Sequence, residues 1–188
     1  MHTIFIAFAA GVLSWSFAEY CIHRWAGHDA RLRPNPFEME HTRHHARGNY
    51  FAPSWKKIVT ALAALALVAL LAAFVVGFRL GLPYAIGFAG FYMTYERVHR
   101  RAHTHAGTGP YARFLRRHHF WHHFENPKAN HGVTSPIWDY VFGTRESPKM
   151  IHVPRKLAME WLVNPATDEV FPDFGADYAL RGKAPAAS

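Results

Sequence analysis

Along most of the chain apolar and polar positions are interspersed, but three stretches are almost continuously apolar. The purest is IVTALAALALVALLAAFVVGF, residues 58–78, which holds no charge. At about 1.5 Å rise per residue, a helix of that length crosses the ~30 Å hydrocarbon core of a bilayer. A short RLGL follows. The apolar run then resumes as PYAIGFAGFYMTY, residues 83–95, with Pro83 suited to the first turn of a helix. It continues into ERVHRRAH as a polar extension. The two runs predict a helical hairpin that crosses a membrane and returns. The remaining stretch, TIFIAFAAGVLSWSFAEYCIH at residues 3–23, is less pure. It has no Lys/Arg n-region and no small-residue cleavage site before Glu19, which favours a retained span over a signal peptide. The expected architecture is an all-α integral membrane protein. It has about three transmembrane helices, one plus a hairpin, with a cytoplasmic helical cap.

Residues 1–145 form the membrane-embedded domain in this reading, and residues 146–188 a cytoplasmic C-terminal tail belonging to it. The tail carries Pro148, Pro154, Pro165, Pro172 and Pro185. RKLAMEWLVN predicts a short amphipathic helix there, and GKAPAAS a frayed end. PIWDYVF, residues 136–142, suits the membrane interface, where Trp and Tyr concentrate, and equally suits packing within the cap.

Charge orients the spans. Of 21 Lys and Arg residues, only Arg79 lies in the far loop of the hairpin and none precedes the first span. The positive-inside rule makes the other side cytoplasmic. The net charge of +8 is thereby accounted for without nucleic acid, and the scatter of basic residues excludes a nucleic-acid binder. The single Cys21 excludes an internal disulfide and a cysteine zinc site.

Histidine changes the picture. There are 15, and all but His2 fall on the cytoplasmic side of these spans. Four clusters stand out: His23 and His28 in HRWAGH, His41, His44 and His45 in HTRHH, His99 and His103 in HRRAH, and His119, His122 and His123 in HFWHH. Residues three and four apart share a helix face, so each H-x-x-H-H box directs its imidazoles together. GTGP at 107–110 starts the helix of the second box, with Pro110 early in it. His28 is five after His23, and Gly27 offers a helix stop that turns it back. Neutral imidazole is a common metal ligand. Ten exceed the need of one ion, and two ions with about five ligands each would use them all. Ligand type leaves iron, zinc, copper and nickel open. Glu19, Glu40, Glu96, Glu125 and Asp139 are candidates to orient the rings from behind. His118 and His131 are candidates for additional roles, whereas His2, His105 and His152 read as surface or hydrogen-bonded residues.

These boxes, in this order, resemble the fatty acid hydroxylase superfamily, also called the sterol desaturase family. The pattern H-x4-H, H-x2-H-H, H-x3-H, H-x2-H-H is matched over residues 19–144, as are EY..HR, Glu96 before HRRAH, and GVTSPIWDYVFGT at 132–144. That ending is most similar to fatty acid 2-hydroxylases. The resemblance implies a membrane oxygenase with two histidine-bound irons, O2 as co-substrate, and a lipid substrate entering from the bilayer. It implies no catalytic residue beyond the metal centre. Zinc could replace labile iron in purified samples. The doubled His118 and the His131 before Gly132 depart from the pattern. No fused cytochrome b5 domain or haem motif is visible, so electrons are expected from a separate carrier such as a ferredoxin or cytochrome b5. The same machinery would serve a carotenoid or sterol hydroxylase or desaturase. A non-enzymatic metal carrier is disfavoured, because residues 58–78 contain no ionisable group.

Overall fold

A computed structural model describes residues 2–182. Its order is α1 (His2–Cys21), a π-helical turn (Ile22–Gly27), α2 (Pro36–Arg47), α3 (Ser54–Val76), α4 (Phe78–Thr104), α5 (Pro110–Phe124) and α6 (Ile137–Val141). Four short strands follow: β1 (Ile151–Pro154), β2 (Val163–Asn164), β3 (Glu169–Val170) and β4 (Tyr178–Arg181). The fold is therefore mostly helical, and the strands qualify the all-α expectation.

Among the described residues, two helices are long and apolar enough to cross a membrane: α1 with its π turn, and α3. No residue of α3 is buried. A helix that is apolar all round and has no buried residue requires an apolar solvent. α3 and α4 are joined at Gly77 alone. The helix thus starts at Phe78, earlier than the Pro83 start expected from sequence, and RLGL is helical. Pro83 costs one hydrogen bond near the helix start.

α4 also runs beside α1, in the same direction. A Cβ on Gly11 would lie 2.0 Å from the Tyr84 carbonyl oxygen, and one on Gly87 2.1 Å from that of Phe8. Nothing larger than glycine allows this approach. Further along, the Trp15 ring meets Phe88 at 5.2 Å and Tyr92 at 4.9 Å. Parallel packing brings the end of α1 and the end of α4 to one side of the molecule.

The cap is built on α5. Phe120 and Phe124 pack with Ile151, Val153, Met159, Leu162 and Tyr178 into its core. β1 pairs in parallel with β4, Ile151 opposite Tyr178, and β2 pairs antiparallel with β3. RKLAMEWLVN does not form the expected helix. Arg155–Leu157 is a 3-10 turn and Val163–Asn164 a strand. An isolated helix that short is marginal, and burial of Met159 and Leu162 against β1 and α5 decides the local structure. The end expected to fray lies, from residue 183 onward, outside the described residues.

Candidate metal centre

The ten histidines of the four boxes converge. His23, His28, His41, His45 and His122 form one group, and His44, His99, His103, His119 and His123 another. Within each group one ring nitrogen per residue lies within 4.8 Å of all the others. The groups abut: His45 from the first stacks on His123 from the second, with ring centroids 4.0 Å apart and planes at 5°.

Local structure explains the distribution. Asn35 accepts a hydrogen bond from Glu38 N and Pro36 opens α2, so the first H-x-x-H-H box is helical. Pro110 likewise opens α5. In each box the i, i+4 pair serves one group and the i+3 residue the other. His41 and His45 thus join the first group while His44 joins the second. His119 and His123 join the second while His122 joins the first. The π turn Ile22–Gly27, with its i→i+5 hydrogen bonding, brings His28 round toward His23. Ring centroids of these two are 5.4 Å apart. His99 and His103 stand one turn apart at the end of α4. The buried Arg116 guanidinium holds that end against α5 by donating to the carbonyls of Arg101, His105 and Ala112 at 2.8, 2.9 and 3.0 Å.

The donor set fits metal ions. His44 Nδ1 donates to the Tyr50 carbonyl at 2.7 Å and His122 Nδ1 to the Ala129 carbonyl at 2.8 Å. His23 Nδ1 donates to the His131 carbonyl. A carbonyl only accepts, so each of these rings carries its proton on Nδ1 and turns the Nε2 lone pair inward. The buried Nε2 atoms of His23, His45, His122 and His123 have no protein partner. Burial, and then the charge of neighbouring imidazoles, holds His41, His119, His122 and His123 well below 6.5. Burial lowers His44 to about 4 and His45 to about 2. Rings of this kind are neutral at physiological pH, the form that ligates.

The remaining candidates stand around the groups. Glu40 accepts from Tyr50 Oη and Lys56 Nζ, and Glu96 from Lys57 Nζ at 2.5 Å. Glu125 accepts from the backbone and ring of His152, in the cap. Glu19 accepts from Val133 N, Thr134 N and Thr134 Oγ1. His118 is fully buried and its Nε2 lies 3.1 Å from Asp139 Oδ2. The His131 ring packs against His23, His28 and His122 and bonds the Lys128 carbonyl at 3.2 Å. Tyr50 and Ala129 have no sequence signal for orienting a ring, because they act through backbone carbonyls, which every residue has.

The same span is similar to known proteins. Residues 8–144 match the model of the fatty acid hydroxylase family. The chain is 33% identical to fatty acid 2-hydroxylase of Mus musculus over 157 residues, covering 76% of this chain and 40% of that protein. It is 31% identical to the ceramide very long chain fatty acid hydroxylase scs7 of Schizosaccharomyces pombe, covering 73% and 41%. It thus spans about two fifths of the length of these relatives. A solved structure of full-length scs7p, in which only the hydroxylase domain is visible, superposes with a TM-score of 0.60 at 25% identity, covering 78% of this chain and 57% of that one. Since the matched span contains all four histidine boxes and both imidazole groups, the chain belongs to the fatty acid hydroxylase family.

Proposed function

We propose that the chain is a membrane-bound, O2-dependent lipid hydroxylase that acts on a fatty acyl chain near its head-group end. The observation that carries this reading is the pair of abutting five-imidazole groups at the end of apolar helices. In this reading His23, His28, His41, His45 and His122 hold one iron, and His44, His99, His103, His119 and His123 the other. When bound, the irons would supply O2 activation, so that with two electrons from a separate carrier and two protons one oxygen atom enters a C–H bond and the other leaves as water. The chain's own residues bind, orient and exclude water. The backbone carbonyls of Tyr50, Ala129 and His131 set the ring tautomers. Burial of His119 and His122 keeps solvent from the reacting volume.

An open, shallow apolar groove lined by Phe8, Val12, Leu13, Ser16, Phe91 and Ile137 suits an acyl substrate. Ser16 precedes His23 by two helical turns, roughly 10 Å, and Phe8 by roughly 22 Å. A chain lying along α1 would leave its methyl end deep in the bilayer and its head-group end beside the histidines. The distribution of Lys and Arg supports a cytoplasmic site, and that basic face suits an acidic carrier such as a ferredoxin or cytochrome b5.

The test compares membrane lipids by mass spectrometry in a host expressing this chain with a compatible reductase, against His122→Ala. A histidine-dependent gain of one oxygen near the acyl head group is expected. Loss of two hydrogens would replace hydroxylation by desaturation. No change in any lipid, with iron bound, would sink the enzymatic reading. A gain confined to carotenoids or sterols would overturn the acyl substrate alone.

A further inference from the structure

The loop between α5 and α6 supplies two of the three carbonyls that orient the metal-group rings, those of Ala129 and His131. Both serve the first group, through His122 and His23. A carbonyl orients a ring only if its own peptide is held, so the question is what holds residues 129–134.

The Ala129–Asn130 peptide is held by Asn130 N, which donates to the Thr144 carbonyl at 2.9 Å, whereas His131 and Gly132 are held by one carboxylate. Asp139, fully buried on α6, accepts four hydrogen bonds. Oδ1 takes His131 N at 2.8 Å and Thr144 Oγ1 at 2.7 Å. Oδ2 takes Gly132 N at 2.8 Å and His118 Nε2 at 3.1 Å. His131 is therefore gripped at its N–H by Asp139 while its carbonyl grips His23. A Cβ on residue 132 would lie 3.0 Å from Asp139 Oδ2 and 2.1 Å from the Ser135 carbonyl, so glycine is required for the carboxylate to close on the loop. Glu19 holds the next two residues through Val133 N and Thr134 N at 2.6 and 3.0 Å. Glu19 and His23 are one turn apart, so the end of α1 meets the same loop twice.

We infer that Asp139 is a positioning residue for the first imidazole group, acting through the His131 carbonyl on His23 and touching no metal itself. This rests on the reading of the two groups as metal sites. Each carboxylate oxygen faces a backbone N–H, so an asparagine fails in either orientation: its NH2 meets a donor. The anion is required, and an amide of the same shape is no substitute. Glu19→Gln differs. Its carbonyl can keep both backbone bonds while Thr134 Oγ1 turns to accept from the NH2, so an amide meets the bonding pattern there.

The test uses the full chain in detergent micelles, with zinc as the probe ion and a chromophoric chelator as competitor. Thermal unfolding checks the fold of each variant. Wild type is expected to bind two ions. Asp139→Asn should bind one with wild-type affinity and the other about 10- to 100-fold more weakly, the range seen when outer partners of ligands are removed. Combining it with His28→Ala should leave the loss confined to the same ion, whereas combining it with His99→Ala should weaken both. If Asp139→Asn does not fold, Thr144→Val carries the test, since it removes one bond to Oδ1 and keeps the charge. A several-fold loss confined to the same ion is then expected. Two ions held at wild-type affinity in the folded variant would overturn the inference and leave the metal reading standing. Equal weakening of both ions would overturn its assignment to the first group. Absence of ion binding by wild type would overturn both.

Discussion

At the scale of single residues, the candidate metal centre is a set of buried imidazoles kept neutral by burial. His44 has its ring lowered from 6.5 to about 4 by burial, with the Tyr50 carbonyl opposing that shift and Lys57 adding to it. In the metal-free protein the unfolded chain takes up protons first as pH falls. The stability contribution is therefore fully present above about pH 6.5 and is lost as pH falls toward 4. Across that interval each such imidazole contributes a slope of about 1.4 kcal/mol per pH unit. Metal-free protein should show a melting temperature that is flat above pH 7 and falls steeply below 6.5. A flat profile down to pH 4.5 would mean that these rings are not buried neutral. The box spacings make the histidine clusters legible in the sequence, and i, i+4 geometry makes the His41–His45 pairing legible. The allotment of His44 to the opposite group is not. On a helix His44 is turned by roughly 100° from His45, and only the tertiary placement of α4 and α5 gives that direction a partner. The carbonyl orienters are illegible for a simpler reason: a carbonyl has no residue type.

At the scale of elements, the centre depends on how closely α1 and α4 approach, because each carries histidines at its end. The contact is set by Gly11 and Gly87 against opposing carbonyls at distances that admit no side chain. Gly87→Val should force the helices apart and destabilise by 1–3 kcal/mol or more, as overpacking does. Gly90 is one turn further along the same helix, with nothing within 4 Å of its Cβ position. Gly90→Ala should leave stability unchanged or raise it by up to about 1 kcal/mol through helix propensity. Thermal unfolding in detergent, with zinc content read on the same samples, separates the two. Equal behaviour of the variants would refute the close-contact argument. Hydrophobic runs made α1 and α3 legible. The start of α4 was not, since Pro83 signals a first turn while the chain turns at Gly77 instead. The tail structure is not legible, because the i, i+4 apolar spacing that predicts a helix is satisfied just as well by a turn and strand that bury Met159 and Leu162 against α5 and β1.

At the scale of the whole molecule, parallel α1 and α4 with antiparallel α3 between their sequence positions put both imidazole groups at one end and Gly77 at the other. α3, at about 1.5 Å per residue, is long enough for a ~30 Å hydrocarbon core. α4 is apolar only over residues 83–95 and borrows its depth from packing on α1 and α3. Three crossings therefore follow only if the hairpin traverses the bilayer rather than dipping into it. Cysteine accessibility decides this. In a Cys21→Ser background, Arg79→Cys and Ser147→Cys lie beyond opposite ends of the hairpin. With three crossings, a membrane-impermeant maleimide should label Arg79→Cys from outside intact cells and Ser147→Cys only after the membrane is opened. The expected direction follows from the positive-inside rule, since Arg79 is the lone basic residue on its side in that topology. Labelling of both from the inner side would mean a re-entrant hairpin. α3 would then have to bury its apolar surface against a second copy or within one leaflet, and the substrate path along α1 would open to half the bilayer. Labelling of Ser147→Cys from outside would invert the topology and place the histidines away from any cytoplasmic electron carrier.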